Sequence, residues 1–295
     1  MSGNPLVEMK NITKKFGIVT ALNEISFKIN RGEVHVLLGE NGAGKSTLMK
    51  ILSGVYQPTS GKIIIGGKDY DYLTPKLSFE NKISIIYQEL SVIDELSIQE
   101  NLFVGKLPIK KVFGVEIVDY KYMEKVTNKL LNKIGLNRNP YTLVEDLTIS
   151  EKQQVEIAKA LASDADVIIM DEPTTSLTES ETNNLFRIIR QLKMEGKGIV
   201  YISHKLKELK EIGDVVTVLK DGKDVGTRNI KDVEINNLVT MMVGREIKSR
   251  YDSNNTKINK KKVIFEVNNL TRKDEKVKNI SFEINEGEVL GFAGL

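Results

Sequence analysis

Apolar and polar positions alternate over residues 6–12 and again over 26–29, which predicts two strands with one buried face each. The burst VHVLL at 34–38 is almost wholly apolar and runs straight into glycines. From Ser46 the apolar residues fall at Leu48, Ile51, Leu52 and Val55, the spacing of one helical face. Residues 155–162 read as a second helix, whereas 167–170 and 199–202 are short apolar runs that predict buried strands. Helical stretches between short apolar strands predict an α/β domain with a mainly parallel sheet.

The pattern lapses over 245–262, REIKSRYDSNNTKINKKK, which is polar, rich in Asn and Lys, and predicts a solvated linker. Beyond it the chain repeats itself. NEISFKINRGEV (23–34) and KNISFEINEGEV (278–289) share eight of twelve positions without a gap, and VEMKNIT (7–13) pairs with FEVNNLT (265–271). Gly294 then aligns with Gly39. The expected organisation is a first domain over 5–244, a linker over 245–262, and the opening strands of a truncated second copy over 263–295. A few strands cannot bury a core, so 263–295 is expected to be poorly ordered or to add to the first domain.

Composition narrows the chemistry. Of 295 residues, 40% are hydrophobic and 28% charged, enough for a sizeable core. The net charge of +3 speaks against a nucleic-acid partner. The absence of cysteine excludes disulfides, thiolate metal sites and cysteine nucleophiles, and suits a reducing compartment. No apolar run approaches the roughly 20 residues that cross a bilayer.

The strongest local signal is Gly39-Glu40-Asn41-Gly42-Ala43-Gly44-Lys45-Ser46, followed by Thr47. It matches G-x-x-x-x-G-K-[ST] between an apolar strand and an amphipathic helix. Glycines let successive N–H groups turn toward phosphate oxygens, and the helix start adds its positive dipole end. Lys45 is placed to neutralise the β- and γ-phosphates, and the Ser46 hydroxyl to ligate Mg²⁺. The run VIIMDE (167–172) delivers Asp171 at a strand's carboxyl end, where it would hold the metal through water, with Glu172 beside it as general base.

Taken in order, LLGENGAGKST, Gln88 in YQE, DEPT and His204 in YISH resemble the ATP-binding subunits of ABC transporters, over about residues 6–244. GENGAGKSTLMKILSG and YQELSVIDELSIQENLFVG are similar to the tandem-domain importers of ribose, galactose, xylose and related sugars. IIYQELSVIDEL, IIMDEPT, IVYISHKL and EVLGFAGL most resemble the D-allose branch of that group. The resemblance implies a P-loop NTPase of the ABC ATPase type, with an N-terminal antiparallel β subdomain and an α-helical subdomain over about 90–163. It implies ATP and Mg²⁺ as cofactors and a peripheral place at the cytoplasmic face of the cell membrane. The implied partners are an integral membrane sugar permease, through it a sugar-binding protein, and a second ABC ATPase domain, in cis or as a homodimer.

It also implies roles. Phe16 in KKFG would stack on adenine. Gln88 would sense Mg²⁺ and the γ-phosphate, and His204 would contact the γ-phosphate and orient the water. The segment 91–102 would meet the permease. His35, inside the strand before the glycines, is expected to be structural, with no partner legible. Two positions depart from the family pattern. Its signature L-S-G-G-Q is Leu147-Thr148-Ile149-Ser150-Glu151 here. Thr148 keeps a hydroxyl for the γ-phosphate, Ile149 and Ser150 replace glycines, and Ser150-x-x-Gln153 is expected to form a capping box. An aspartate of many relatives is Thr178 in TTSLT. The facing signature would lie in the second domain, so this chain is expected to bind Mg-ATP and turn it over slowly. The rival readings are a soluble tandem ATPase acting on ribosomes or DNA, and a non-catalytic ATP-binding module.

Overall fold

The structure, a computed structural model, describes residues 4–243, 262–274 and 277–292. Apart from Lys262, the expected linker lies outside the described residues. The chain divides into two compact units, Met1–Glu246 and Ile247–Leu295.

The first unit opens with β1 (Val7–Phe16) and β2 (Val19–Ile29), an antiparallel pair longer than the alternation predicted. A register shift between Met9 and Ile12 breaks the period of two, so the sequence pattern stops while the strand continues. Asn11, at φ 50, sits in that bulge, and its N–H donates to Ser26 Oγ at 3.1 Å. Next come β3 (Val34–Leu38) and α1 (Lys45–Leu52). The helix ends before Val55: Ser53 caps it, Gly54 turns the chain in the left-handed region, and Val55 is left exposed. The strands β4 (Ser60–Ile65) and β5 (Lys68–Tyr70) complete an antiparallel sheet in the order β2-β1-β4-β5.

After α2 (Pro75–Glu80) and β6 (Ile83–Ile86), the stretch expected to be helical contains α3 (Ile98–Leu102), α4 (Tyr120–Ile134) and α5 (Ile149–Ala162). It also contains a hairpin, β7 (Ile109–Val112) and β8 (Val115–Val118). The hairpin turns on Phe113 and Gly114, both at positive φ. A bulky residue at the first of these positions hides the usual Asn-Gly or Asp-Gly signal.

The chain then alternates through β9 (Val167–Asp171), α6 (Glu179–Met194), β10 (Gly198–Ile202) and α7 (Leu206–Ile212). It ends the unit with β11 (Val215–Lys220), β12 (Lys223–Asn229) and α8 (Ile235–Val243). The second sheet runs β12-β11-β3-β10-β9-β6, parallel except for β12. Its central strands are buried at every position because both faces carry a core. Val34, Val36, Ile168, Met170, Ile199 and Tyr201 face one cluster; Leu37, Val167, Ile169, Val200 and Ile202 face the other. Continuous apolar runs are thus two interleaved alternations.

The second unit holds β13 (Val263–Leu270) and β14 (Ile280–Asn285), an antiparallel pair. It repeats the bulge chemistry of the first hairpin: Asn269, at φ 51, donates its N–H to Ser281 Oγ at 2.9 Å. Asn279 N–H donates to Thr271 Oγ1 at 3.0 Å, as Glu24 N–H does to Thr13 Oγ1 at 3.1 Å.

Candidate nucleotide site

The adjacency of β3, β10 and β9 brings three carboxyl ends to one rim, where open α/β sheets bind ligands. The loop after β3 curls into α1. At its turn, Gly44 has φ +102, and a Cβ there would meet Leu22 Cδ2 at 2.6 Å and Ala21 O at 2.8 Å, so only glycine fits. Gly44 is also the N-cap, so no side chain answers the first N–H groups of α1. Lys45 Nζ folds back to donate to Gly39 O at 2.8 Å and Glu40 O at 3.0 Å. Burial pushes its ammonium below the ordinary range, while the Glu172 and Asp171 carboxylates oppose the shift.

A cavity of about 890 Å³ opens over this loop. Gly39, Glu40, Asn41, Gly42, Gly44, Lys45, Ser46 and Thr47 line it from β3 and α1. Gln88, beyond β6, lines it too, with Asp171 at the end of β9, Glu172 just past it and His204 from beyond β10. Ser46 Oγ donates to Asp171 Oδ2 at 3.2 Å. Burial pushes the Asp171 carboxyl up; the Ser46 hydrogen bond opposes this and the Glu172 charge adds to it. Glu172 has φ 50, a left-handed conformation that costs a non-glycine residue energy. Its N–H donates to Ile202 O at 3.0 Å, and its Oε1 lies 3.2 Å from His204 Nδ1.

The family model for ABC transporters matches residues 22–175, more than half of the chain. The chain belongs to the ABC transporter family. It is 48% identical over 294 residues to the D-allose import ATP-binding protein of Escherichia coli, covering 99% of this chain and 58% of that one. It is 49% identical over 291 residues to the ribose import ATP-binding protein of Clostridium tetani, covering 99% and 57%. A galactose/methyl galactoside import ATP-binding protein of the same organism is 45% identical over 296 aligned positions, covering 100% and 58%. The chain therefore spans little more than half the length of these curated relatives. Among solved structures, an ATP-binding cassette of an ABC transporter in its ADP conformation superposes with a TM-score of 0.70 at 25% identity, covering 82% of this chain and 100% of that one. A dimeric cassette in a post-hydrolysis state, bound to ADP and phosphate, gives 0.67 at 25% identity, covering 77% and 100%.

Other residues that the ABC pattern singles out lie elsewhere. Ala43 is buried in the core beneath the loop and does not line the cavity. Phe16 does not line it either: it is exposed at the end of β1, edge-on to Tyr56 at 5.3 Å, with Lys14 Nζ 4.9 Å from its ring centre. His35 does have partners. Its Nε2 is 2.8 Å from Thr217 Oγ1, its ring lies 4.3 Å from Phe27, and Glu33 is 3.4 Å from Nδ1. The cavity also takes in Ala21 and Met242, which the sequence reading missed. No motif marks them; β2 and α8 reach the rim only through the fold.

The ABC signature segment differs from expectation. The N-cap of α5 is Thr148, with an extended backbone, so the capping box closes between Thr148 and Glu151 rather than Ser150 and Gln153. Thr148 Oγ1 donates to Glu151 Oε2 at 3.0 Å and accepts from Glu151 N–H at 3.3 Å, so the hydroxyl expected to meet phosphate is engaged. Arg138, 2.7 Å from Glu151, holds that carboxyl down at about 2 against the effect of burial. Ser150 Oγ donates to Glu181 Oε1 at 2.7 Å, and Ile149 is exposed. Thr178 is the N-cap of α6 and forms its own box with Glu181.

Proposed function

We propose that this chain is the ATP-binding and ATP-hydrolysing part of an ABC importer for a monosaccharide. The convergence of Lys45, Ser46, Gln88, Asp171, Glu172 and His204 on one cavity carries the reading. The backbone N–H groups of the glycine loop and the Lys45 ammonium bind the phosphates. Phe16, exposed at the turn end of the first hairpin, stacks on adenine. Glu172 takes a proton from a water whose oxygen attacks the γ-phosphorus, and His204 orients that water. The bond from γ-phosphorus to the bridging oxygen breaks, leaving ADP and phosphate.

The residues fit Mg²⁺. Ser46 and Asp171 set two hard oxygen donors side by side, and Mg²⁺ takes few protein oxygens and keeps waters. Held by these residues, Mg²⁺ would supply positive charge to offset that of the phosphates. Gln88 joins these donors from the β6 side.

The import reading rests on the likeness to import ATP-binding proteins. D-allose is the proposed sugar, from the 48% identity to the D-allose protein; the ribose and galactose relatives, at 49% and 45%, support the monosaccharide group as a whole. The partners are a membrane permease, through it a sugar-binding protein, and a second ABC ATPase domain that completes the site. Residues 263–295 are the start of such a domain, a reading supported by the matching bulges. Among the described residues no helix is long and apolar enough to cross a membrane. On the likeness to import ATP-binding proteins, the chain works from the cytoplasmic face of the membrane through its permease. The permease contact is segment 91–102, whose Ser91 and Leu102 line a second cavity of about 530 Å³ with Phe79, Tyr87 and Tyr122.

The test is Mg-ATP binding by calorimetry and phosphate release, beside Glu172→Gln. The variant should bind as the parent does and lose about 10²- to 10⁴-fold in turnover. Failure of the parent to bind would overturn the reading. Uptake of labelled D-allose, ribose and galactose by cells with and without the gene tests the sugar.

A further inference from the structure

Behind the cavity stands a buried carboxylate that the chemistry above does not use. Glu208, in α7, is 8% exposed. Its Oε1 accepts from Thr174 Oγ1 at 2.7 Å, and its Oε2 from the Tyr201 hydroxyl at 2.7 Å and Ser203 Oγ at 2.9 Å. Lys205 Nζ lies 3.3 Å from Oε1 and also donates to Thr174 O at 3.2 Å. A charge this deep persists only where donors satisfy it. Burial pushes the Glu208 carboxyl up, and the three hydroxyls with Lys205 outweigh it, leaving it below the ordinary range.

The source of those donors is the informative point. Thr174 follows Glu172 by two residues, Ser203 immediately precedes His204, and Tyr201 lies in β10, paired in register with Met170 of β9. One carboxylate therefore ties the segment after β9 to the segment after β10. Those segments bear the two side chains that meet at 3.2 Å over the cavity. The meeting needs outside support: His204 is exposed, and Glu172 sits in a left-handed conformation that persists only where surroundings hold it.

We propose that Glu208 is a positioning residue for ATP hydrolysis: it clamps the two segments together and so sets the geometry of Glu172 and His204. This rests on the functional reading above, in which those two residues act on the attacking water. Tyr201 and Ser203 extend the clamp, and Ser203 Oγ also accepts the Lys205 N–H at 3.0 Å, which fixes the turn into α7.

The test uses the whole chain and its two histidines, His35 and His204, observed by NMR of their ring nitrogens and carbons. Glu208→Ala removes the clamp. Glu208→Gln keeps its shape but turns an amide donor toward hydroxyls and Lys205. Both variants should move the His204 ring resonances and leave those of His35, held on Thr217, in place. Mg-ATP affinity should stay within about twofold while turnover falls at least about tenfold, the mark of a displaced catalytic pair. In a His204→Ala background, adding Glu208→Ala should cost less turnover than it does in the parent, because one of the two groups it positions is gone. Unmoved His204 resonances in both variants overturn the proposal, as does a turnover loss that multiplies in full with His204→Ala. If Glu208→Ala fails to fold, Glu208→Gln and Tyr201→Phe decide by the same readouts. If the parent chain neither binds nor hydrolyses ATP, the functional reading fails, and the His204 resonances still decide whether the clamp exists.

Discussion

The starts of α1 and α5 are the same physical object put to opposite uses. Both are helix N-termini with unpaired N–H groups and a positive dipole end. At α1 the N-cap is Gly44, with no side chain to answer the donors and no acid in the first turn. The donors are left for a ligand, and Lys45 adds a cation beside them. At α5 the chain answers its own donors: Thr148 caps, Glu151 returns the bond, and Arg138 neutralises Glu151. Ser150 is drawn to Glu181. A helix end becomes an anion site only where the sequence leaves it unanswered, and a capping box is the opposite instruction.

That contrast can be broken at several points. The largest effect belongs to Lys45→Ala, which should weaken Mg-ATP binding by about a hundredfold in calorimetry, the scale of a charge-assisted contact. Unchanged affinity would mean that the α1 end is not the anion site. Gly44→Ala forces a Cβ against Leu22 and Ala21 O at positive φ. It should cost about 1–3 kcal/mol in thermal or denaturant unfolding.

Smaller effects probe the other end. Thr148→Ala should cost about 1 kcal/mol of stability. It should leave ATP affinity at the Lys45 cavity within about twofold; a larger loss would show that the α5 end serves the same ligand. Glu151→Gln tests the self-answered charge. The Glu151 carboxyl is held down at about 2 from its ordinary 4.5, so its stabilisation is complete above pH 4.5 and is lost as pH falls toward 2. The parent should therefore exceed the variant by about 0.2–1 kcal/mol at neutral pH, with the gap closing through that window.

Much of the site was legible because its parts are local. Gly39 through Thr47, and Asp171 with Glu172, are each short runs whose function needs consecutive residues. Gln88 and His204 became legible through the family resemblance, since a single Gln or His carries no pattern. The errors were of another kind. Val55 continued an apolar period past the point where Gly54 ended the helix. Ser150 and Gln153 satisfied the letter of a capping box two residues late, because the pattern alone does not say where the backbone turns helical. The hairpin of β7 and β8 escaped notice because Phe113 occupies its turn.

The amino-acid sequence by itself determined the buried central strands, the helix after the phosphate loop, that loop, the acidic pair and the repeat beyond residue 262, all features written in neighbouring residues. Only the tertiary structure decided that Ala21 and Met242 join the cavity, that Phe16 and Ala43 do not line it, and that Glu208 reaches the segments after both β9 and β10. These depend on strand order and on which face of a helix meets which loop. Burial and hydrogen bonding settle such contacts between residues far apart in the chain, and no local pattern records them.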